Sequence, residues 1–418
     1  MKHVIIGCGH AGVIAAETIR KHASLDDILM IGEDDGPPYS RMALPHFLSG
    51  AIREADTWLR KEEKHFSAQR IERRQGRVMR IDSEFRMLTL ADGSTVGFDQ
   101  LLIATGARPM LPVIPGIHSP GVHPCWTIED ARQIMQLARP GARAILIGAG
   151  FVGSILMESL VARGVALTVV EKKDRMLPGM MGKAAGKMVQ QWCERKNIRV
   201  CTSATVSRII PAAEQKGDAG QAPLLARLSN GIQLPADLIV VATGSRPHVR
   251  FLRESGIKCR YGVLVDASMQ TNVPGIYAAG DCAEAYDVAS GQHVISAVAP
   301  NAADQAYCAA LNMIGKRAFQ RSVRRIDVLD TLGLVSASFG QWRGVHGGQW
   351  VEVADERNFR YLRLEFSRDV LVGSSFIGLS EHAGILRELI RRHVGLGEWK
   401  DRLLANPALL REAYSACV

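Results

Sequence analysis

Two glycine triplets of identical spacing are the residues best placed to do chemistry in this chain. Gly7, Gly9 and Gly12 follow the apolar run Val4-Ile5-Ile6, and Gly148, Gly150 and Gly153 follow Ala144-Ile145-Leu146-Ile147. In a strand–turn–helix unit the first glycine makes the tight turn, and the second lets backbone approach a pyrophosphate. The third lets the helix pack close to the strand. Phosphates then meet the first N–H groups of the helix, which here begins near Ala11, where the dipole favours negative charge. Each turn has a strand end of the same type downstream, Ala104-Thr105-Gly106 and Ala242-Thr243-Gly244. The intervals nearly match, 104 − 7 = 97 residues and 242 − 148 = 94 residues. A lone triplet is weak evidence, but the repeated unit implies two dinucleotides and electrons moving between them.

An acid follows the second strand of each unit. Ile28-Leu29-Met30-Ile31 leads to Glu33, 33 − 12 = 21 residues after Gly12, and Ala166–Val170 leads to Glu171, 171 − 153 = 18 residues after Gly153. A carboxylate there accepts hydrogen bonds from ribose hydroxyls. At the second site it also repels a 2′-phosphate, favouring NADH over NADPH, whereas Lys172, Lys173 and Arg175 soften that choice.

The elements that must position these residues fit an α/β chain of 418 residues, long enough for two or three domains with real cores. Hydrophobic content of 47% and charged content of 22% are those of a globular protein, and no apolar run approaches the roughly 18 residues of a membrane span. The chain opens on a strand and a glycine turn, so the expectation is a cytoplasmic protein without a signal peptide. Cysteines at 8, 125, 193, 201, 259, 282, 308 and 417 form no CxxC, which excludes the common zinc and iron–sulfur frameworks and gives no sign of a redox disulfide. Net charge is +9, and residues 53–80 carry nine Lys/Arg against five Asp/Glu. That balance suits an acidic partner. No nucleic-acid motif accompanies it, so no nucleic acid is expected.

The segment Thr271–Asp281, which ends Tyr277-Ala278-Ala279-Gly280-Asp281, resembles the Tyr-Ala-x-Gly-Asp motif of the pyridine nucleotide–disulfide oxidoreductase superfamily. These are flavoprotein reductases that bind two dinucleotides. The resemblance implies FAD at the first site, with Asp281 on a ribityl hydroxyl, and NAD(H) at the second. Pro38-Tyr39-Ser40-Arg41 resembles the Pro-Tyr-x-Arg signature of the branch with nitrite reductase large subunits, rubredoxin reductases and ferredoxin reductases. Arg41 would then neutralise the FAD pyrophosphate. The same resemblance implies first-cofactor contacts from His10, Ala11, Ala104, Thr105, Gly106, Arg108 and Gly280, and second-cofactor contacts from Phe151, Val152, Thr243 and Gly244. Pro300 and Asn301, in Ala299–Gln305, resemble the helix start set against the flavin's pyrimidine edge. The likeness covers residues 1–320 well.

Three positions depart from the family pattern. Ile155 stands where the fingerprint helix usually carries a Glu near the nicotinamide, and His46 stands where its Lys partner usually lies. Losing both halves of a buried ion pair together is coordinated, because either charge alone is costly to bury. Glu158, three residues on, reads as a surface helix residue. Met42-Ala43-Leu44-Pro45 occupies the segment where disulfide- and peroxide-reducing relatives place a lone Cys, so disulfide reduction is not expected.

Beyond residue 325 the pattern is that of a small α+β unit, similar to the domain that follows the reductase core in the same branch. Phe359–Phe366 and Val370-Leu371-Val372 read as strands, and Glu381–Val394 reads as a helix burying Ile385, Leu386, Leu389 and Ile390, with Gly395 and Gly397 at its end. His346, His382 and His393 read as solvated or satisfied residues, and no metal site is expected. The expected architecture is two Rossmann-like dinucleotide-binding domains and an α+β C-terminal domain. Residues 1–112 with 248–325 would bind FAD, 113–247 would bind NAD(H), and 326–418 would form the interface, in a possible homodimer. The function this implies is an FAD-dependent NAD(P)H:acceptor oxidoreductase, an enzyme passing electrons to an acidic carrier of rubredoxin or ferredoxin type. An NADH oxidase using oxygen or a small molecule, and a flavin-binding regulatory protein with vestigial activity, are the alternatives.

Overall fold

A computed structural model describes residues 1–62, 64–214, 222–288, 291–320, 322–323 and 326–418, with the side chain of Ile326 outside the description. The chain divides into two compact units. The first comprises Met1–Phe47, Ile52–Arg108 and Ser245–Arg324, and the second comprises Leu48–Ala51, Pro109–Gly244 and Arg325–Val418.

The first unit is built on a five-stranded parallel sheet in the order Ile276–Ala278, Gln100–Ile103, Lys2–Ile6, Asp27–Gly32, Ile71–Gln75. Val4, Ile5 and Ile6 are buried without alternation, as expected of a central parallel strand covered on both faces. Helices His10–His22 and Ala299–Met313 pack against each other. The small residues Ala11, Gly12, Ala15 and Ala16 on the first, and Ala302, Ala306, Ala309 and Ala310 on the second, permit that close approach.

The second unit repeats the plan. Its parallel sheet runs Arg199–Cys201, Ala166–Val170, Arg143–Ile147, Leu238–Val241, Val122–Pro124. In both units the strand entering the glycine turn is central. The strand leading to the acid lies on one side of it, and the strand ending in Ala-Thr-Gly lies on the other.

Arg325–Val418 belong to the second unit by contact. They form an antiparallel sheet in the order Ile326–Thr331, Leu334–Gly340, Val370–Ile377, Arg360–Ser367, Gln349–Asp355. One face packs Phe339, Leu362, Leu364 and Phe376 against Leu386, Leu389 and Ile390. The other lends Tyr361 and Ile377 to a core shared with Leu156, Met157 and Leu160, and Trp192 Nε1 donates to the Thr331 carbonyl at 3.1 Å. The predicted strand at Phe359–Phe366 is Arg360–Ser367, and the predicted helix at Glu381–Val394 is shorter, Ala383–Arg392. A 3₁₀ turn, Ser380–His382, precedes it, and His393 ends it in the left-handed conformation before Gly395 is reached. Ile385, expected inside, is only partly buried. Among the described residues no helix is long and apolar enough to cross a membrane.

Candidate functional site

The two glycine turns are cradles of the same geometry. Gly7 has φ +116°, and a Cβ there would lie 2.1 Å from the Ala104 carbonyl oxygen; Gly148 has φ +104° and would meet the Ala242 oxygen at 2.4 Å. A Cβ on Gly12 would strike the Gly7 oxygen at 1.9 Å, and one on Gly153 the Gly148 oxygen at 2.1 Å. Gly9 and Gly150 differ from these. Each is the N-cap of its helix, and a Cβ on either would meet nothing within 4 Å. That is open space in front of free helix N–H groups, the shape and polarity that a diphosphate requires. Ala11 is buried, while Phe151 and Val152 begin the second helix partly exposed.

Each Ala-Thr-Gly strand end does more than crowd its turn. Thr105 Oγ1 donates to the His248 carbonyl at 2.8 Å, and the His248 N–H donates to the Gly106 carbonyl at 2.9 Å. In the second unit Thr243 Oγ1 donates to the Met110 carbonyl at 2.6 Å, and the Met110 N–H donates to the Gly244 carbonyl at 2.8 Å. Ala104-Thr105-Gly106-Ala107-Arg108-Pro109-Met110 and Ala242-Thr243-Gly244-Ser245-Arg246-Pro247-His248 thus form a second internal repeat. The sequence motif extends to Arg108 in the first unit but does not single out His248, although the Arg-Pro pair shared by the two segments is a visible signal.

In the first unit the predicted residues come together. A Cβ on Gly280 would lie 3.4 Å from that of Ala11 and 3.6 Å from that of Ala302, so the Tyr-Ala-Ala-Gly-Asp motif meets the fingerprint helix and the Ala299–Met313 helix. The Gly280 N–H donates to Gln305 Oε1 at 2.9 Å. Asn301 is fully buried with its Nδ2 on Ser296 Oγ at 2.6 Å, and Pro300 sits exposed in the first turn. His10 Nε2 lies 2.9 Å from Ser40 Oγ, joining the glycine turn to the Pro38–Arg41 segment. Burial pushes the Asp281 carboxyl above the usual range, and Arg41 opposes that shift. Arg41 Nη1 also donates to the Ala107 carbonyl at 3.3 Å. Open backbone at Gly9, a guanidinium at Arg41 and a carboxyl at Asp281 fit the phosphates and hydroxyls of FAD.

The two acids do not hold equivalent places. Gly7 N–H donates to the Ile31 carbonyl at 2.7 Å, and Gly148 N–H donates to the Val170 carbonyl at 2.8 Å. Ile31 and Val170 therefore correspond, so Glu171 aligns with Gly32, and Glu33 aligns with Lys172. Glu33 is half-exposed, 3.6 Å from Arg77 Nε, beside a cavity of about 410 Å³ lined also by Gln75, Leu90 and Asp92. Glu171 is buried, with Oε2 accepting from the Ala149 N–H and Oε1 from the Lys173 N–H, both at 2.7 Å. Its carboxylate braces the glycine turn and retains lone pairs for a ribose. In the first unit Cys8 fills the corresponding space, since a Cβ on Gly32 would come within 2.8 Å of its Sγ.

Ile155 is partly buried against the apolar core, and Glu158 is exposed, as read from the sequence. All eight cysteines are free thiols. Burial pushes Cys8 and Cys282 up to about 11 and Cys125 and Cys193 up to about 12, so these stay protonated at neutral pH.

Comparison with known proteins agrees with this geometry. The family described as pyridine nucleotide-disulphide oxidoreductase matches residues 1–306. The epsilon subunit of NADH-dependent phenylglyoxylate dehydrogenase from Aromatoleum evansii is 31% identical over 420 residues, covering 99% of this chain and 97% of that protein. An NADH oxidase from Methanocaldococcus jannaschii is 30% identical, covering 76% of this chain and 71% of its own. The fold matches that of a putidaredoxin reductase–putidaredoxin complex structure with TM-score 0.88 and 21% identity, covering 100% of this chain and 98% of that one. Two glycine cradles, the flavin-type Asp281 motif and these matches converge, and the chain belongs to the pyridine nucleotide-disulphide oxidoreductase family.

Proposed function

We propose that the chain is an FAD-dependent NAD(P)H oxidoreductase that moves electrons between NADH and a separate acceptor, an acidic carrier of rubredoxin or ferredoxin type. The observation that carries this reading is the pair of open cradles at Gly9 and Gly150 in a chain whose cysteines are all free. With no thiol pair to receive electrons internally, they leave to another molecule. FAD held at the first site would supply the chemistry, hydride acceptance from NADH and electron delivery to the acceptor.

The protein's own residues bind and orient. Gly9 backbone and the helix after it take the pyrophosphate, Arg41 offsets its charge, Asp281 accepts from a ribityl hydroxyl, and Glu33 faces the adenosine end. At the second site Gly150, Phe151 and Val152 take the NADH phosphates, and Glu171 takes the ribose. In this reading residues 1–112 with 248–325 serve FAD, 113–247 serve NAD(H), and 326–418 face the partner. The surplus charge of +9 favours an acidic partner, and the free thiols support a reducing compartment such as the cytoplasm. A homodimer is part of the proposal.

An anaerobic titration with NADH, following the flavin's visible absorbance, tests the reading. Prompt bleaching supports it, and a flavin that neither NADH nor NADPH bleaches rejects it in favour of a non-catalytic role marked by Ile155 and His46. Peroxide formed in step with NADH consumption, without any carrier, would identify an oxidase. A second reading is that the chain is one subunit of a larger dehydrogenase, motivated by the near-full-length match to an epsilon subunit. Native purification tests that: co-migration with other polypeptides supports it, and isolation as a lone polypeptide rejects it.

A further inference from the structure

His248 ends the Ala242–His248 repeat, and four contacts build it into the first unit. Its backbone is clasped by Thr105 and Gly106, its ring meets Phe251 edge-on at 5.8 Å, and its Nε2 lies against Arg108 Nη2. Arginine is only a donor, so Nε2 accepts, and the ring is neutral with its proton on Nδ1. The surroundings agree. Burial, then the nearby charges of Arg108, Arg77 and Arg41, press the His248 pKa down to about 4.

Arg108 thus contacts a neutral imidazole, on which the charges of Arg77 and Arg41 also act. The carboxylates near them sit loosely, Asp34 at 4.0 Å from Arg41 and Glu33 at 3.6 Å from Arg77. The surplus positive charge suits a polyanion. A carboxylate in place of His248 would cancel Arg108 and repel phosphate. The second unit puts Met110 in the same clasp, where no ring nitrogen is available to accept from a guanidinium.

We infer that His248 is a positioning residue of the flavin site, holding the Arg108 guanidinium in place for the FAD phosphates without neutralising it. This rests on the FAD reading above and adds a residue to it. The test titrates FAD into apoprotein and follows quenching of flavin fluorescence, with H248M, H248Q, R108A and the H248M/R108A double variant. Met is the residue that the second unit accommodates in this clasp, so H248M keeps the fold, and its apoprotein melts within about 2 °C of the parent.

H248M is expected to bind FAD roughly tenfold more weakly. H248Q, whose longer side chain carries an amide oxygen to the position of Nε2 and still accepts from Arg108, stays within about threefold of the parent. The double variant is no weaker than R108A alone, because both changes remove one interaction. Unchanged affinity in H248M, an equal loss in H248Q, or additive losses in the double variant would overturn the inference. So would a fall in apoprotein melting that tracks the loss of binding. Failure of the parent protein itself to bind FAD rejects the flavin reading instead, which keeps the two ideas separable.

Discussion

Glu171 and Gly32 occupy the same register position in the two dinucleotide units, one residue past the carbonyl that accepts from the first glycine of each turn. In the second unit that position carries a carboxylate folded back onto Ala149 and Lys173; in the first, only a glycine leaves room for Cys8. The repeat thus preserves backbone and exchanges a buried acid for a thiol one strand away.

Replacing Glu171 by Leu strands the buried Ala149 N–H and the part-buried Lys173 N–H. The expected cost is about 2 to 5 kcal/mol in unfolding free energy, measured by denaturant titration. Glu171→Gln, which keeps one acceptor oxygen, should lose roughly half as much. Equal stability of all three proteins would show that the carboxylate does not brace the turn.

The two kinds of glycine separate folding from binding. Gly153→Ala places a Cβ 2.1 Å from the Gly148 oxygen and should destabilise the protein by about 1 to 3 kcal/mol. Gly150→Val meets no protein atom within 4 Å at its Cβ, so its melting temperature should hold while KM for NADH rises roughly tenfold or more. A Gly150→Val enzyme with unaltered KM would move the phosphates elsewhere.

Acid sensitivity should appear at Asp237. It accepts from Arg143 through N, Nε and Nη2 at 2.8, 3.0 and 2.8 Å, and those bonds hold its pKa below the usual carboxylate value. A depressed folded pKa means the stabilisation is full above the unfolded value of about 3.9 and is lost as pH falls through the folded one. Asp237→Asn should therefore cost about 1 kcal/mol at pH 7, and the gap to the parent should close as pH drops below about 4. A gap independent of pH would rule out the ion pair as its source.

Carrier reduction should depend on salt. With a net charge of +9 meeting an acidic carrier, kcat/KM is expected to fall about tenfold between about 0.05 and about 0.5 M salt, while reduction of a neutral quinone dye stays level. Equal salt dependence for both acceptors would remove the electrostatic part of the proposal.

Much of this protein is legible in its sequence. The glycine triplets, the apolar runs before them and the Ala-Thr-Gly strand ends are local signals, and each unit formed where they lie. The Tyr277–Asp281 motif is readable because it is contiguous. What spacing could not resolve is registration. Counting 21 and 18 residues from the last glycine made Glu33 and Glu171 look equivalent, but a strand's register is set by its neighbour's hydrogen bonds, and a shift of one residue turns a side chain to the other face.

Only the tertiary structure brought His248 to Arg108, 140 residues away in the chain, and set Tyr361 and Ile377 into the core of the second unit. Local composition encodes which segments form strands, turns and helices. Which distant side chains then share one hydrogen bond is decided by how the sheets and loops pack, and no local pattern carries that information.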